Sequence, residues 1–245
     1  MSNLPLFRLV DYETDRTILS AADVEGFFDH QSLDEQSSLR ITFRGVAEID
    51  TTVSRLEEGA LWVVDSSGKC IGEYYCGDTK IDHSMIGTDA RVRALVCATT
   101  EELNAWIPNI WRQWSSRMPV SRGQWVGENA KWTSGWLHVV RMSWFATQKP
   151  LGVLGEGNEF LLDCTQVHTM DEMFIALGEA FNGPGGYFGS NLDAVEDCLR
   201  SSTRDLNTVV LRLVNSDRLK RIQDQHALGT LWEIMDLHDV SVMWS

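Results

Sequence analysis

Two aspartates spaced four residues apart, directly after a glycine-rich loop, constrain this chain more than any other feature of its sequence. They lie in the stretch Gly186-Tyr187-Phe188-Gly189-Ser190-Asn191-Leu192-Asp193-Ala194-Val195-Glu196-Asp197-Cys198-Leu199. Leu192, Val195 and Leu199 fall at i, i+3 and i+7, the spacing of a buried helical stripe, which leaves Asp193 and Asp197 together on another face. Like charges at i and i+4 cost an isolated helix about 0.2–0.5 kcal/mol. Ser190, with Asp193 three residues later, fits a capping box whose carboxylate sits near the positive end of the helix dipole. That role does not reach Asp197, a full turn deeper. The pair therefore reads as a solvated acidic face, as part of a divalent-metal site, or as a surface for a partner.

The wording of the stretch resembles the signature of the barstar family, the bacterial intracellular ribonuclease inhibitors, whose pattern is Tyr-Tyr-Gly-x-Asn-Leu-Asp-Ala-Leu-Trp-Asp-Cys-Leu. The likeness extends over about residues 158–245 and implies an α/β domain, a three-stranded parallel sheet covered by helices. It further implies that Asp197 is the centre of an inhibitory surface, entering the nuclease active site in place of a substrate phosphate. Asp193, Asn191, Leu192 and Tyr187 match other contact positions of the family. Asp236 matches a contacting carboxylate of the last helix once Leu231 and Ile234 are aligned with apolar positions. The partner implied is a ribonuclease of the extracellular or toxin type, and no cofactor is implied. Glu196 replaces the motif tryptophan, Phe188 the second tyrosine, and Arg200-Ser201-Ser202 the Thr-Gly-Trp that follows the helix. Arg200, four residues after Glu196 and three after Asp197, is placed to pair with both, so the resemblance implies a cognate enzyme unlike the type nuclease.

The order of apolar runs agrees with such a fold. Phe160-Leu161-Leu162-Asp163-Cys164 reads as a strand, Met170 to Phe181 as an amphipathic helix, and Leu206 to Val214 as a buried parallel strand. Helices near Asp217–His226 and Leu228–Leu237 precede a last strand at Val240–Trp244.

Charge follows the same division. The chain carries 35 acidic and 21 basic residues, a formal charge of -14. Residues 150–245 hold 15 acidic and 6 basic side chains, and so -9 of that charge. An enzyme that cleaves RNA is locally positive, so an acidic patch can fill its site without being cleaved. The composition shows no basic footprint for direct binding of nucleic acid. Five widely spaced cysteines, with no CxxC pair, read as reduced thiols, and Cys198 reads as a packed small residue. The first residues lack the charged and apolar regions of a signal peptide, and no run of 18 apolar residues suggests a membrane span, so the expected location is the cytoplasm.

A turn-rich stretch at residues 148–158 marks a boundary between a first domain, residues 1–147, and the 158–245 domain. The first domain reads as α+β of unknown fold and function. Gly59 to Tyr75 forms two strands around the turn Asp65-Ser66-Ser67-Gly68, Arg91 to Cys97 a further strand, Thr99 or Thr100 to Met118 a helix, and Trp136 to Trp144 a late strand. It holds eight of the ten tryptophans. Trp111 and Trp114 read as a packed ridge, and Trp125 and Trp132 as candidates for an exposed surface. Catalysis finds no support, since no Gly-x-Ser-x-Gly, phosphate loop, dinucleotide fingerprint or His-Glu-x-x-His occurs, and nothing places His168, His226 and His238 beside one another. The expected function is inhibition of a bacterial ribonuclease, as the immunity partner of a nuclease toxin. The alternative is a carboxylate-based divalent-metal site or a general protein-interaction module.

Overall fold

The computed structural model describes residues 5–28, 39–86, 88–94, 103–127 and 129–244. Contacts divide the chain into two units, residues 1–117 and 118–245. That division falls before the turn-rich stretch at 148–158, because the intervening segment packs with the second unit.

In the first unit the turn at Asp65 sets the register of two strands. Asp65 Oδ1 accepts from the Ser67 and Lys69 backbone N–H groups at 2.8 and 3.0 Å, and Gly68 takes a φ of 83°. This joins β4 (Arg55–Val64) to β5 (Cys70–Ile86), as the sequence suggests. With β1 (Phe7–Asp11), β2 (Thr17–Glu25), β3 (Leu39–Ile49) and β6 (Asp89–Ala94) they close an antiparallel barrel in the order β1-β2-β3-β6-β5-β4. Closure comes from β1 pairing with β4, Leu9 opposite Leu61, which leaves no open sheet edge. Helix α1 (Ile107–Ser116) covers the barrel with Trp111 and Trp114, both buried, as their spacing predicts. Trp111 Nε1 donates to the Tyr74 hydroxyl at 2.9 Å, and its ring lies against Gly72, where an added Cβ would stand 2.5 Å from it. The expected helix start at Thr99 or Thr100 and the end of the Arg91–Cys97 strand lie outside the described residues.

In the second unit β7 (Glu159–Asp163), β8 (Val210–Val214) and β9 (Ser241–Trp244) form a parallel sheet in the order β7-β8-β9. Its covering helices are α2 (Ala130–Ala146), α3 (Met170–Asn182), α4 (Leu192–Arg200) and α5 (Gln225–Leu237). Helix α3 begins with a capping box, Thr169 to the Glu172 N–H and Glu172 back to the Thr169 N–H. Phe160, Leu162, Leu211 and Leu213 point into the helix-covered core with Leu177, Phe181, Val195 and Leu231. The opposite face carries Leu161, 45% exposed, and Arg212, which donates to Glu159 at 2.6 Å.

Three local expectations need correction. Trp136–Trp144 is not a strand of the first unit but the buried middle of α2, capped by Asn129 Oδ1 accepting from the Trp132 N–H at 3.0 Å. Leu206–Thr208 is a single 3-10 turn before a shorter β8, and Ser216–Arg221 is a second 3-10 turn, so α5 starts three residues earlier than expected. Trp125 is buried and Trp132 half-buried, so neither is an exposed surface group.

Candidate functional site

Helix α4 begins where Asn191, in extended backbone, turns its side chain onto the chain ahead: Asn191 Oδ1 accepts the Ala194 N–H at 2.8 Å. The cap therefore sits one residue later than the Ser190–Asp193 box, and Asp193 is released from capping. Val195, Cys198 and Leu199 form the buried stripe, while Leu192 is half-buried at its edge. Asp193 and Asp197 stand exposed on the other side, the two carboxylates one turn apart as their spacing requires.

Their surroundings differ. Among the described residues Asp193 has no hydrogen-bond or ion-pair partner. Asp197 is 60% exposed and receives only a long contact from Arg200 Nη1 at 3.4 Å. Arg200 commits its other nitrogen to Glu196 at 2.5 Å, and Glu196 also faces His238 Nε2 at 3.8 Å. Replacing the motif tryptophan by Glu196 thus draws Arg200 partly away from Asp197.

Two expected contact residues lie on segments outside α4. Tyr187 is only 4% exposed, its ring packed 6.2 Å from Trp144 and 5.6 Å from Phe145 of α2. Asp236 is exposed on α5, the neighbouring helix whose C-cap His238 faces Glu196 of α4, and lines a surface cleft with Asn207, Trp232, Asp239 and Trp244. Asn191 is exposed at the start of α4, but its side chain is engaged in the cap.

The packing that covers Tyr187 continues through residues 118–157. Glu179 of α3 is a buried carboxylate that accepts from the Gly123 N–H at 2.8 Å, Trp125 Nε1 at 3.1 Å and the Gly185 N–H at 3.4 Å. Burial pushes its pKa above the ordinary glutamate value, against the lowering effect of those donors. Arg122 donates to the Leu161 and Ala180 carbonyls at 3.1 and 3.3 Å. Cys198 is buried beneath the acidic face, and burial raises its thiol to about 11, in keeping with a packed small residue.

Among the described residues no group of three or more His, Cys, Asp or Glu is arranged to hold a metal, and no helix is long and apolar enough to cross a membrane. A feature the overall charge conceals is a small basic cluster on the barrel, where Arg40, Lys80 and Arg91 line a cleft on neighbouring strands beside Asp82. No sequence spacing reveals it, since the three are brought together by strand register alone.

The exposed carboxylate face, the parallel sheet and the strand–helix order define a class: an acidic α/β domain with a helix-covered three-stranded parallel sheet. Residues 158–244 match the family model described as Barstar (barnase inhibitor), the region and the family that the motif resembles. That family is one of inhibitors, not enzymes, and its partner in general is a ribonuclease. Comparison with curated proteins and with solved structures gave no match.

Proposed function

We propose that this protein inhibits a bacterial ribonuclease by laying the acidic face of α4 into the enzyme's phosphate-binding cleft, and that it is the cytoplasmic immunity partner of a nuclease toxin. The observation that carries the reading is the exposed Asp193–Asp197 pair, underneutralised by its surroundings, inside the region that matches an inhibitor family. A ribonuclease holds phosphate with cationic side chains. A fixed pair of carboxylates offers them the same charge on a scaffold that has no scissile bond. Complementary charge speeds encounter, and desolvated central pairs slow dissociation. Asp197 is the central group and Asp193 its neighbour, with Leu192 and Asn191 at the margin of the contact. Asp236 extends the contact onto the neighbouring helix α5, whose C-cap His238 faces Glu196 of α4. The inhibitor works by occlusion and needs neither metal nor catalysis.

The test is hydrolysis of a fluorogenic RNA by a panel of secreted and toxin-type bacterial ribonucleases, barnase among them, titrated with the full chain. The reading expects stoichiometric loss of activity for at least one enzyme. Full activity of every member in the presence of excess protein overturns it.

A further inference from the structure

The segment from Phe145 to Val153 lies outside the family-matched region, yet it meets the loop before the acidic helix at one end and the last turn of that helix at the other. At one end the Phe145 ring meets Tyr187, four residues before the α4 cap, with centroids 5.6 Å apart. At the other end Gly152, with a φ of 70°, lies against the last turn of α4, where an added Cβ would collide with the Cys198 carbonyl and stand 2.8 Å from the Ser201 carbonyl carbon. Asn182 Nδ2 then donates to both the Val153 and Tyr187 carbonyls, at 3.0 and 2.9 Å, and ties the end of the segment back to its beginning. Within it, Trp144 Nε1 donates to the Pro150 carbonyl at 3.2 Å, and the Lys149 ammonium sits 4.6 Å from the Trp144 ring centroid. The segment is therefore held in one shape before any partner arrives.

Its outward side carries two exposed hydrophobic side chains, one on each side of exposed Gln148 and Lys149. Phe145 is 50% exposed and Val153 39%, and half-buried Leu192 sits at the start of α4. A single exposed hydrophobe is ordinary. Two on a rigid segment flanking a charged helix form the arrangement of an interface, in which an aromatic anchor adjoins the charged centre. Tyr187, which the family resemblance places on the contact surface, is covered here, and Phe145 is the aromatic group that stands over it.

We infer that Phe145, with Val153, is a second anchor for the same ribonuclease, and that the enzyme this chain recognises carries an apolar patch beside its cationic cleft. This rests on the proposed function and adds to it a specificity determinant supplied from outside the family region. The chemistry divides the labour. Asp193 and Asp197 set the rate of encounter and its salt dependence, with desolvated Asp197 also slowing departure, while an uncharged ring in a matching pocket acts on the rate of departure alone. Because the segment is pre-ordered, little conformational freedom is lost when it docks.

The experiment uses the full chain and the panel ribonuclease that it inhibits, with association and dissociation followed by surface plasmon resonance for the parent, Phe145→Ala, Phe145→Leu, Val153→Ser and Asp197→Ala. Phe145→Ala should raise the dissociation rate about tenfold with the low-salt association rate unchanged, and Phe145→Leu should recover most of the loss. Asp197→Ala should in addition weaken the salt dependence of association. Thermal unfolding of each variant separates lost docking from lost fold. If Phe145→Ala and Val153→Ser, both folded, dissociate at the parental rate while Asp197→Ala does not, the second anchor is refuted and the proposed function stands. If no panel enzyme is inhibited, both fall together.

Discussion

On the barrel and its covering helix five carboxylates are paired with arginines, Asp50 with Arg16, Glu25 and Asp89 with Arg44, Asp78 with Arg55, and Asp23 with Arg112, while Glu13, Asp15, Glu48, Glu57 and Glu58 are exposed with no ion pair among the described residues. On α4 the arrangement is reversed, with Asp193 unpartnered among the described residues and Asp197 sharing a distant Arg200. Both regions are acidic, so net charge does not distinguish them. What distinguishes them is arrangement: arginines neutralise five of the barrel's carboxylates, whereas on α4 two largely uncompensated carboxylates share one face a helical turn apart. Surface pairs contribute little to stability, but they do cancel the local field that would steer a basic partner. The barrel reads as a partly self-neutralised structural unit and α4 as a face kept available. The small basic cluster at Arg40, Lys80 and Arg91 is a further exposed charge feature of the barrel.

The largest expected effect concerns the extent of the binding unit. If residues 118–157 are integral to it, a fragment of residues 118–245 should be more stable than one of residues 158–245 by about 5 kcal/mol or more, since Trp125, Trp136 and Trp144 each bury a large apolar surface in it. Urea unfolding of the two fragments checks this. Equal midpoints would restore the boundary at 148–158.

Glu179 gives the next effect and a sign that can be worked out. Its pKa is raised by burial above 4.5, so the folded state binds the proton more tightly than the unfolded one. Its contribution is fully present below about pH 4.5 and is lost as pH rises through the raised folded value. Glu179→Gln removes that dependence and also deprives the Gly123, Trp125 and Gly185 donors of a full carboxylate, at a cost of about 1–3 kcal/mol. Stability measured across pH should show the parent losing ground to the Gln variant as pH rises through that window, and a constant difference between them would contradict the assignment.

The smallest effect separates two capping residues. Asn191→Ala should cost about 1 kcal/mol and Ser190→Ala close to nothing, because the Ala194 N–H is bound by Asn191. Thermal unfolding ranks them, and the opposite order would bring back the Ser190–Asp193 box.

The α4 motif, the strand at Phe160 and the helix from Met170 are legible in the sequence because each combines a clear apolar period with its own start signal. The two-strand turn at Asp65 is legible for the same reason, since Asp and Gly at those positions fit one turn chemistry. Trp136–Trp144 is misread as a strand because a helix buried on most sides shows no period, and its β-branched and aromatic residues imitate a strand. Ser190 and Asn191 are both good caps, and a choice between neighbours depends on backbone angles that composition does not carry. The closure of the barrel and the basic cluster depend on long-range register. The burial of Tyr187 depends on rings from α2, some forty residues away in sequence and beyond the region of family likeness. Asp193 and Asp197 share an exposed face, which helical spacing alone makes legible.

The contrast between matched and available charge is tested most directly by titrating the inhibited ribonuclease with two variants of equal chemistry, Asp78→Ala from the barrel and Asp197→Ala from α4. Asp78 already holds Arg55 through two hydrogen bonds of 2.8 Å, so its loss should leave inhibition at the parental level. Asp197→Ala should weaken inhibition by about 2–5 kcal/mol, a factor of about 30 or more, while the circular dichroism spectrum is unchanged. Parental inhibition by folded Asp197→Ala would contradict the account and move the inhibitory surface away from α4.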